Sequence, residues 1–584
     1  MDGHRRNWKE IQNRQHPQNR PRIVINIPCE EPVISDRREF LRSVSVGGAA
    51  FAWKYLSFAA RAVGTESRIE ILLDEPLGMI SPNIYGHFIE NLGGVIYDGV
   101  WVGKNSSIPH VDGVRKDLIE QMRLIKAPIV RFPGGCFADS YDWRDGIGPP
   151  DQRPRRTNFW ENAESADSPA SHKYDPNQFG TNEFVHFCKL IGGQPYLAAN
   201  LRSLSAQEFL RWVEYCNSPA GSTTLSEMRA GGGSPEPFGV RYWGVGNESW
   251  GCGGNFTAQE YAAEFRRYAT WVPRYGMDLS LVASGPNDDS WDWTRGFLEE
   301  ILRKGPGELR SIYGLALHYY AWNLSRGRTR DWDEGKGDAL KFDVVDWYEL
   351  LRQGEVIESL IEGHWQVMGE FDPQHHIKLV IDEWGPWYRP GSEATPGDIL
   401  EQTPTLRDAV FSGITLDIFN RHPEKIGMAN CAQLINCLNS LYLAHEDNFC
   451  VTPVGHVFEL YSAHQGGKSL RTIFSSSQVH YDRDGKPATF HGLSGSASLH
   501  DKELVLTVVN PDTTEPKEAE IAIHGATARA ASATVLTHSD IHAHNTFTQR
   551  DAVAPKTGTL TLAAGTTMFA FPPASVTRLL MSLG

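Results

Sequence analysis

Between about residues 115 and 465 one theme recurs: an amphipathic segment, a short polar break, then a compact apolar run ending in polar or glycine residues. Such a chain predicts parallel strands joined by helical crossovers. Asp117 to Ala127 leads into Pro128-Ile-Val-Arg-Phe132, and Asn182 to Leu190 leads into Pro195-Tyr-Leu-Ala-Ala-Asn200. Ser205-Ala-Gln-Glu208 and Thr257-Ala-Gln-Glu260 have capping-box spacing, in which a hydroxyl and a later Glu satisfy orphan amides at a helix start. The helices they open precede the apolar runs 240–245 and 279–283. With Asn83-Ile-Tyr-Gly86 and the runs at 314–317, 378–381 and 427–429, the count reaches about eight, the number of a (β/α)8 TIM barrel over residues 77–465.

Beyond Gly466 the texture changes to short alternating strands with Gly, Asp, Asn and Thr turns, as in Glu503-Leu-Val-Leu-Thr-Val-Val-Asn510. Residues 466–584 therefore predict an antiparallel β-sandwich, joined by a strand at 67–76. At 584 residues the chain has length for both. Residues 1–62 read as an address: Arg37-Arg38 precedes a moderately apolar run, Ser43 to Ala60, with Ala60-Arg61-Ala62 as a small-x-small cleavage site. This predicts a twin-arginine-type signal peptide and a periplasmic or secreted protein. Without Cys29 seven cysteines remain, lacking the close pairing of a disulfide scaffold or zinc site.

A net charge of −15 argues against a nucleic-acid surface, which needs clustered Lys and Arg. No apolar stretch is long enough to span a membrane. A neutral polysaccharide suits the charge, and 17 Trp and 19 Tyr supply rings suited to sugar faces as well as to a large core. Homo-oligomer formation is left open.

In such a barrel, polar residues at the C-terminal strand ends meet in one mouth. In order these are Glu90-Asn91, Arg131 to Cys136, Asn200, Asn247-Glu248, His318-Tyr-Tyr320, Asp382-Glu383-Trp384 and Gln433. Glu248 and Glu383, 135 residues apart, fall on the fourth and seventh strands. Glycosidic cleavage needs two facing carboxyl groups, one to protonate the departing oxygen and one to meet the developing oxocarbenium ion. A lone Glu at a strand end is more often an ion-pair partner; the pair, in Trp-Gly-Val-Gly-Asn247-Glu248-Ser and Val-Ile-Asp-Glu383-Trp-Gly, is more specific.

On these motifs the chain resembles glycoside hydrolase family 51, mainly α-L-arabinofuranosidases, from about Ile69 to the C-terminus. The resemblance implies a retaining exo-acting enzyme that removes arabinofuranosyl groups from plant hemicellulose or pectic polysaccharides and oligosaccharides. It makes Glu248 the acid/base, Glu383 the nucleophile and Asn247 the partner of the sugar 2-hydroxyl. Glu90 resembles the carboxylate anchoring furanose hydroxyls, Arg131 the arginine that holds the nucleophile ionised, Tyr320 the tyrosine that orients it, and Gln433 a glutamine reaching a substrate hydroxyl. His318 and Trp384 complete the substrate-binding candidates. Cys136 stands where many bacterial members have Asn, and is expected as a reduced thiol near the substrate rather than in a disulfide. The alternatives are an endo-β-1,4-glycanase or β-xylosidase of the same family and, from another class, a non-catalytic carbohydrate-binding protein. No His-Glu-x-x-His, Gly-x-Ser-x-Gly, Walker loop or Gly-x-Gly-x-x-Gly after a strand is present, so no cofactor or metal is implied.

Overall fold

The structure, a computed structural model, describes residues 67–160, 173–395, 398–560 and 567–584. The leader expected at residues 1–62, with Cys29, lies outside them. Eight parallel strands close a barrel in sequence order: Gly86–Phe88, Ile129–Phe132, Gln194–Ala199, Tyr242–Val245, Ser280–Ala283, Gly314–Ala321, Lys378–Pro386 and Ile426–Cys431. The first begins later than its sequence suggests. Pro82–Tyr85 form a 3-10 turn with Pro at its start, and the strand takes over at Gly86.

A helix leads into each strand from the second onward, as the alternation requires. Lys116–Leu124, Thr181–Ile191, Ala258–Ala269 and Leu406–Arg421 are among them. At Thr257 the expected capping box forms: Thr257 Oγ1 accepts from the Glu260 amide, and Glu260 Oε2 accepts from the Thr257 amide at 2.8 Å. At Ser205 the helix starts without a side-chain cap, because Glu208 turns to Arg211 at 2.7 Å and Arg144 at 3.3 Å. Ile129, Tyr196, Tyr242, Val282, Ala316, Val380 and Met428 plug the barrel interior, so it is a packed core with the site at one end.

The C-terminal domain is a nine-stranded sheet. Strand Ser67–Met79 enters it between Lys468–Ser475, antiparallel, and Lys517–His524, parallel. The sheet folds back on itself: Asn510 Nδ2, on the fourth strand in spatial order, donates to the Phe571 carbonyl on the ninth at 3.1 Å. Ile69, Leu470, Leu506, Ile521, Phe569 and Leu579 belong to the single apolar core enclosed. Helix Leu406–Arg421 is buried almost throughout, unlike a one-sided surface helix. It lies between barrel and sheet, where Asp417 accepts from Ser496 and Thr507 at 2.6 Å each and from Tyr461 at 2.7 Å.

Candidate active site

The seventh barrel strand sets the geometry. Its pairing with the sixth slips between Leu317 and His318, so that Leu317 faces Ile381 but His318 faces Glu383. Asp382 is the extra residue of this bulge, and a bulge re-aims the side chains beside it. Both carboxylates turn inward. Asp382 accepts from Tyr196 Oη and Asn430 Nδ2, each at 2.7 Å. Glu383 accepts from Arg131 Nη1 at 2.8 Å on one oxygen and from Tyr320 Oη at 2.7 Å on the other. The remaining terminal nitrogen of Arg131 donates to Asn247 Oδ1 at 2.5 Å, and its guanidinium lies over the Phe88 ring.

Glu248 follows the fourth strand in a left-handed conformation, φ 35°, that a non-glycine residue holds only under constraint. The Asn247 amide beside it is fixed by Asp139 Oδ2 at 3.1 Å. His318 Nδ1 lies 3.1 Å from Glu248 Oε1 and 3.5 Å from Glu383 Oε2. One oxygen of Glu248 and one of Glu383 are within 4.8 Å of each other.

Glu90 forms the floor. Its Oε1 accepts from the amides of Gly135 and Phe137 at 2.9 Å each, and its Oε2 from Gln433 Nε2 at 3.1 Å. Glycine at 135 permits the close approach, since a Cβ there would stand 2.7 Å from Glu383 Oε1 and 3.3 Å from Phe88 Cζ. Nine of the ten candidate residues thus come together in one cluster at this end of the barrel. Trp384 does not: its ring packs edge-on to Phe419 at 5.5 Å and against Phe458, on the outer side of the barrel, because strand alternation resumes after the bulge.

Cys136 also departs from expectation, for it is bonded to Cys252 in a disulfide. The sulfurs lie 3.8 and 3.6 Å from Glu248 Oε2 and have no S–H to donate. Cys252 stands four residues after Glu248, so both partners sit at strand ends that the barrel brings together across 116 residues. The odd cysteine count of the expected mature chain carried no indication of this pairing. Asp139 was also missed; only the fold brings it to Asn247.

Burial opposes charge at Glu383, but His318 and Arg131 outweigh it and hold its carboxyl below the usual value. Burial likewise would lower His318, yet Glu383 and Glu248 raise its pKa above the ordinary one. Burial and then Glu383 keep the Tyr320 phenol far above its usual pKa, so it remains a donor. Glu90 is pushed up to about 7 by burial and the nearby Glu383. Donor atoms of Glu248, His318 and Glu383 are close enough to share a cation, but Arg131 already supplies positive charge to Glu383. The bonded sulfurs beside Glu248 have no thiolate to offer a metal.

Residues 121–336 match the family described as Alpha-L-arabinofuranosidase 1 domain, and residues 382–575 the Alpha-L-arabinofuranosidase C-terminal domain. The chain is 33% identical over 509 residues to an intracellular exo-alpha-L-arabinofuranosidase of Bacteroides ovatus, covering 87% of this chain and 93% of that one. It is 28% identical over 530 residues to the intracellular exo-alpha-(1->5)-L-arabinofuranosidase 1 of Bacillus subtilis, covering 87% and 98%. Among solved structures, a GH51 arabinofuranosidase from Xanthomonas axonopodis pv. citri superposes with a TM-score of 0.80 at 34% identity, covering 88% of this chain and all of that one. The two intracellular names overturn the expectation of a periplasmic or secreted protein. Arg37-Arg38 ahead of an apolar run that Lys54 interrupts is too short a pattern to specify export against that finding. Among the described residues no helix is long and apolar enough to cross a membrane.

Proposed function

The chain belongs to glycoside hydrolase family 51, and on that premise we propose that it removes terminal α-L-arabinofuranosyl groups by double displacement, with Glu383 as nucleophile and Glu248 as general acid/base. The observation that carries the assignment is the asymmetry of the two carboxylates. Glu383 is held ionised between Arg131 and Tyr320. Among the described residues no arginine pairs with Glu248, which lies against His318 and two sulfurs. An approach within 4.8 Å also suits a retaining mechanism, whose carboxyls stand ~5–5.5 Å apart, better than an inverting one at ~6.5–9.5 Å.

In the first step a Glu383 oxygen bonds the anomeric carbon while the glycosidic C–O bond breaks and the departing oxygen takes the Glu248 proton. In the second, Glu248 removes a proton from water, whose oxygen bonds the anomeric carbon and releases Glu383. Arg131 links both halves, since one nitrogen holds Glu383 and another orients Asn247 for the sugar 2-hydroxyl. Glu90 and Gln433 offer acceptors and donors for the other furanose hydroxyls. Arabinose-bearing hemicellulose and pectic oligosaccharides are the proposed substrates. The endo-β-1,4-glycanase and β-xylosidase alternatives are not favoured, because the relatives named above are arabinofuranosidases and two are named as exo-acting.

Proton NMR of an aryl α-L-arabinofuranoside digest tests the reading. The first sugar released should be the α-anomer; the β-anomer as first product would overturn the double displacement.

A further inference from the structure

The bond between Cys136 and Cys252 lies against the acid/base. Both sulfurs face one atom, Glu248 Oε2, at 3.8 and 3.6 Å, and the three atoms lie within 4.8 Å of one another. The other carboxylate oxygen, Oε1, is engaged by His318 Nδ1 at 3.1 Å. Oε2 is thus the one turned to sulfur.

Two sulfurs and a carboxylate oxygen around one point are the donor set of a thiophilic cation, with thiolates selecting zinc over magnesium or calcium. A tetrahedral zinc, with Zn–S ~2.3 Å and Zn–O ~2.0–2.2 Å, keeps sulfur and oxygen ~3.5 Å apart and its two sulfurs ~3.8 Å apart. The first spacing is nearly met, and the second needs the sulfurs to part from bonded to van der Waals contact. Cys252 is only half-buried, so a thiol reductant reaches its sulfur. Opening the bond takes two electrons and two protons from that reductant, which becomes a disulfide in turn. Asn247 Nδ2 donates to Cys252 Sγ at 3.7 Å, a contact that favours a thiolate there. His318, holding Oε1, orients the carboxylate as metal-bound carboxylates are oriented.

We propose that, once the bond is reduced, Cys136 Sγ, Cys252 Sγ and Glu248 Oε2 bind zinc, and that the metal silences the acid/base. Binding sends the two thiol protons, and any proton on Glu248, to solvent. A ligated Glu248 has no proton for the departing oxygen, and its basicity toward water is taken up by the metal. The metal site stands on these distances, whereas its effect on turnover rests on the double-displacement reading. The redox state of the surroundings then decides whether zinc acts on the enzyme at all.

The full chain, reduced with dithiothreitol and freed of it without air, should take up one equivalent of zinc, and with cobalt(II) should show a thiolate-to-cobalt charge-transfer band. The oxidised chain should show neither, although Cys188, Cys216, Cys431, Cys437 and Cys450 are buried thiols in both states. One equivalent of zinc should lower turnover of an arabino-oligosaccharide by the reduced enzyme at least about tenfold, EDTA should restore it, and magnesium should have no effect. In the reduced state Glu248→Gln, Cys136→Ser and Cys252→Ser should each weaken zinc binding about tenfold or more. Equal zinc binding by oxidised and reduced chains, absence of the cobalt band, or undiminished binding in the serine variants would overturn the site. A cobalt band with undiminished turnover on zinc would support the metal site and overturn Glu248 as acid/base, and the silencing with it.

Discussion

Asp382 and Glu383 are neighbours on one strand, yet both carboxylates point into the barrel, and Arg131 meets both: Nε stands 3.5 Å from Asp382 and Nη1 2.8 Å from Glu383. One buried guanidinium thereby offsets two buried anions, and burial without it would be costly for each. Arg131 is held above its ordinary pKa, since Asp382 and Glu383 outweigh its burial.

The two catalytic assignments separate by stereochemistry. Glu383→Ala should be inactive on every substrate, and added azide should give the inverted glycosyl azide. Glu248→Ala should lose ~10²–10⁴-fold on a natural leaving group and little on one that needs no proton, with azide giving the retained product. Proton NMR of the rescued products distinguishes them; exchanged stereochemistry would exchange the roles.

The pH profile should depend on His318. Activity needs ionised Glu383, whose carboxyl is held below its usual pKa against burial, with His318 the largest opposing influence. Activity is therefore lost as pH falls through that lowered value. His318→Gln removes the opposing charge, the Glu383 pKa rises, and the acid limb of kcat/KM should move to higher pH. Tyr320→Phe deletes a hydrogen bond to the carboxylate and should cut kcat about 10–100-fold. An acid limb unmoved in His318→Gln would count against the electrostatic role.

Gly135→Ala is expected to disable the site while leaving the fold intact. The added methyl would sit 2.7 Å from Glu383 Oε1, an atom that Arg131 and Tyr320 leave no freedom to withdraw. Displacing a nucleophile by about 1 Å costs on the order of 10²-fold in rate. Circular dichroism should stay that of wild type, and near-normal kcat would show the pocket to be looser than its contacts indicate.

Much of the site was legible because it depends on strand ends, and strand ends are written locally. Asn247-Glu248 and Asp382-Glu383 each follow an apolar run, and Thr257 to Glu260 carries its own helix start. Trp384 was misplaced because a bulge shifts the inside-outside alternation by one residue, and nothing in Val-Ile-Asp-Glu-Trp marks an extra residue. The Cys136–Cys252 bond was hidden for a different reason: only barrel closure brings residues 116 apart together.

That bond leads to a further expectation. Its sulfurs pack beside Glu248, so reduction or Cys136→Ser should free the turn that holds the acid/base. The loss should be about tenfold on leaving groups that need protonation and small on dinitrophenyl substrates. Denaturant unfolding should show about 2–4 kcal/mol less stability. Equal losses on both substrate types would mean that the bridge supports the pocket as a whole.

Strand Ser67–Met79 lies between two strands that the ribosome makes roughly 390 residues or more later. At ~5–20 residues per second it waits about 20–80 s for its first partner. Throughout that time both of its edges are unpaired, the condition in which strands find the wrong neighbour. The barrel, by contrast, is assembled from strands that arrive in spatial order. The C-terminal sheet is therefore no appended module that folds by itself: the beginning of the described chain is clasped by its end, and a truncation at either side would leave an open seam in the same sheet.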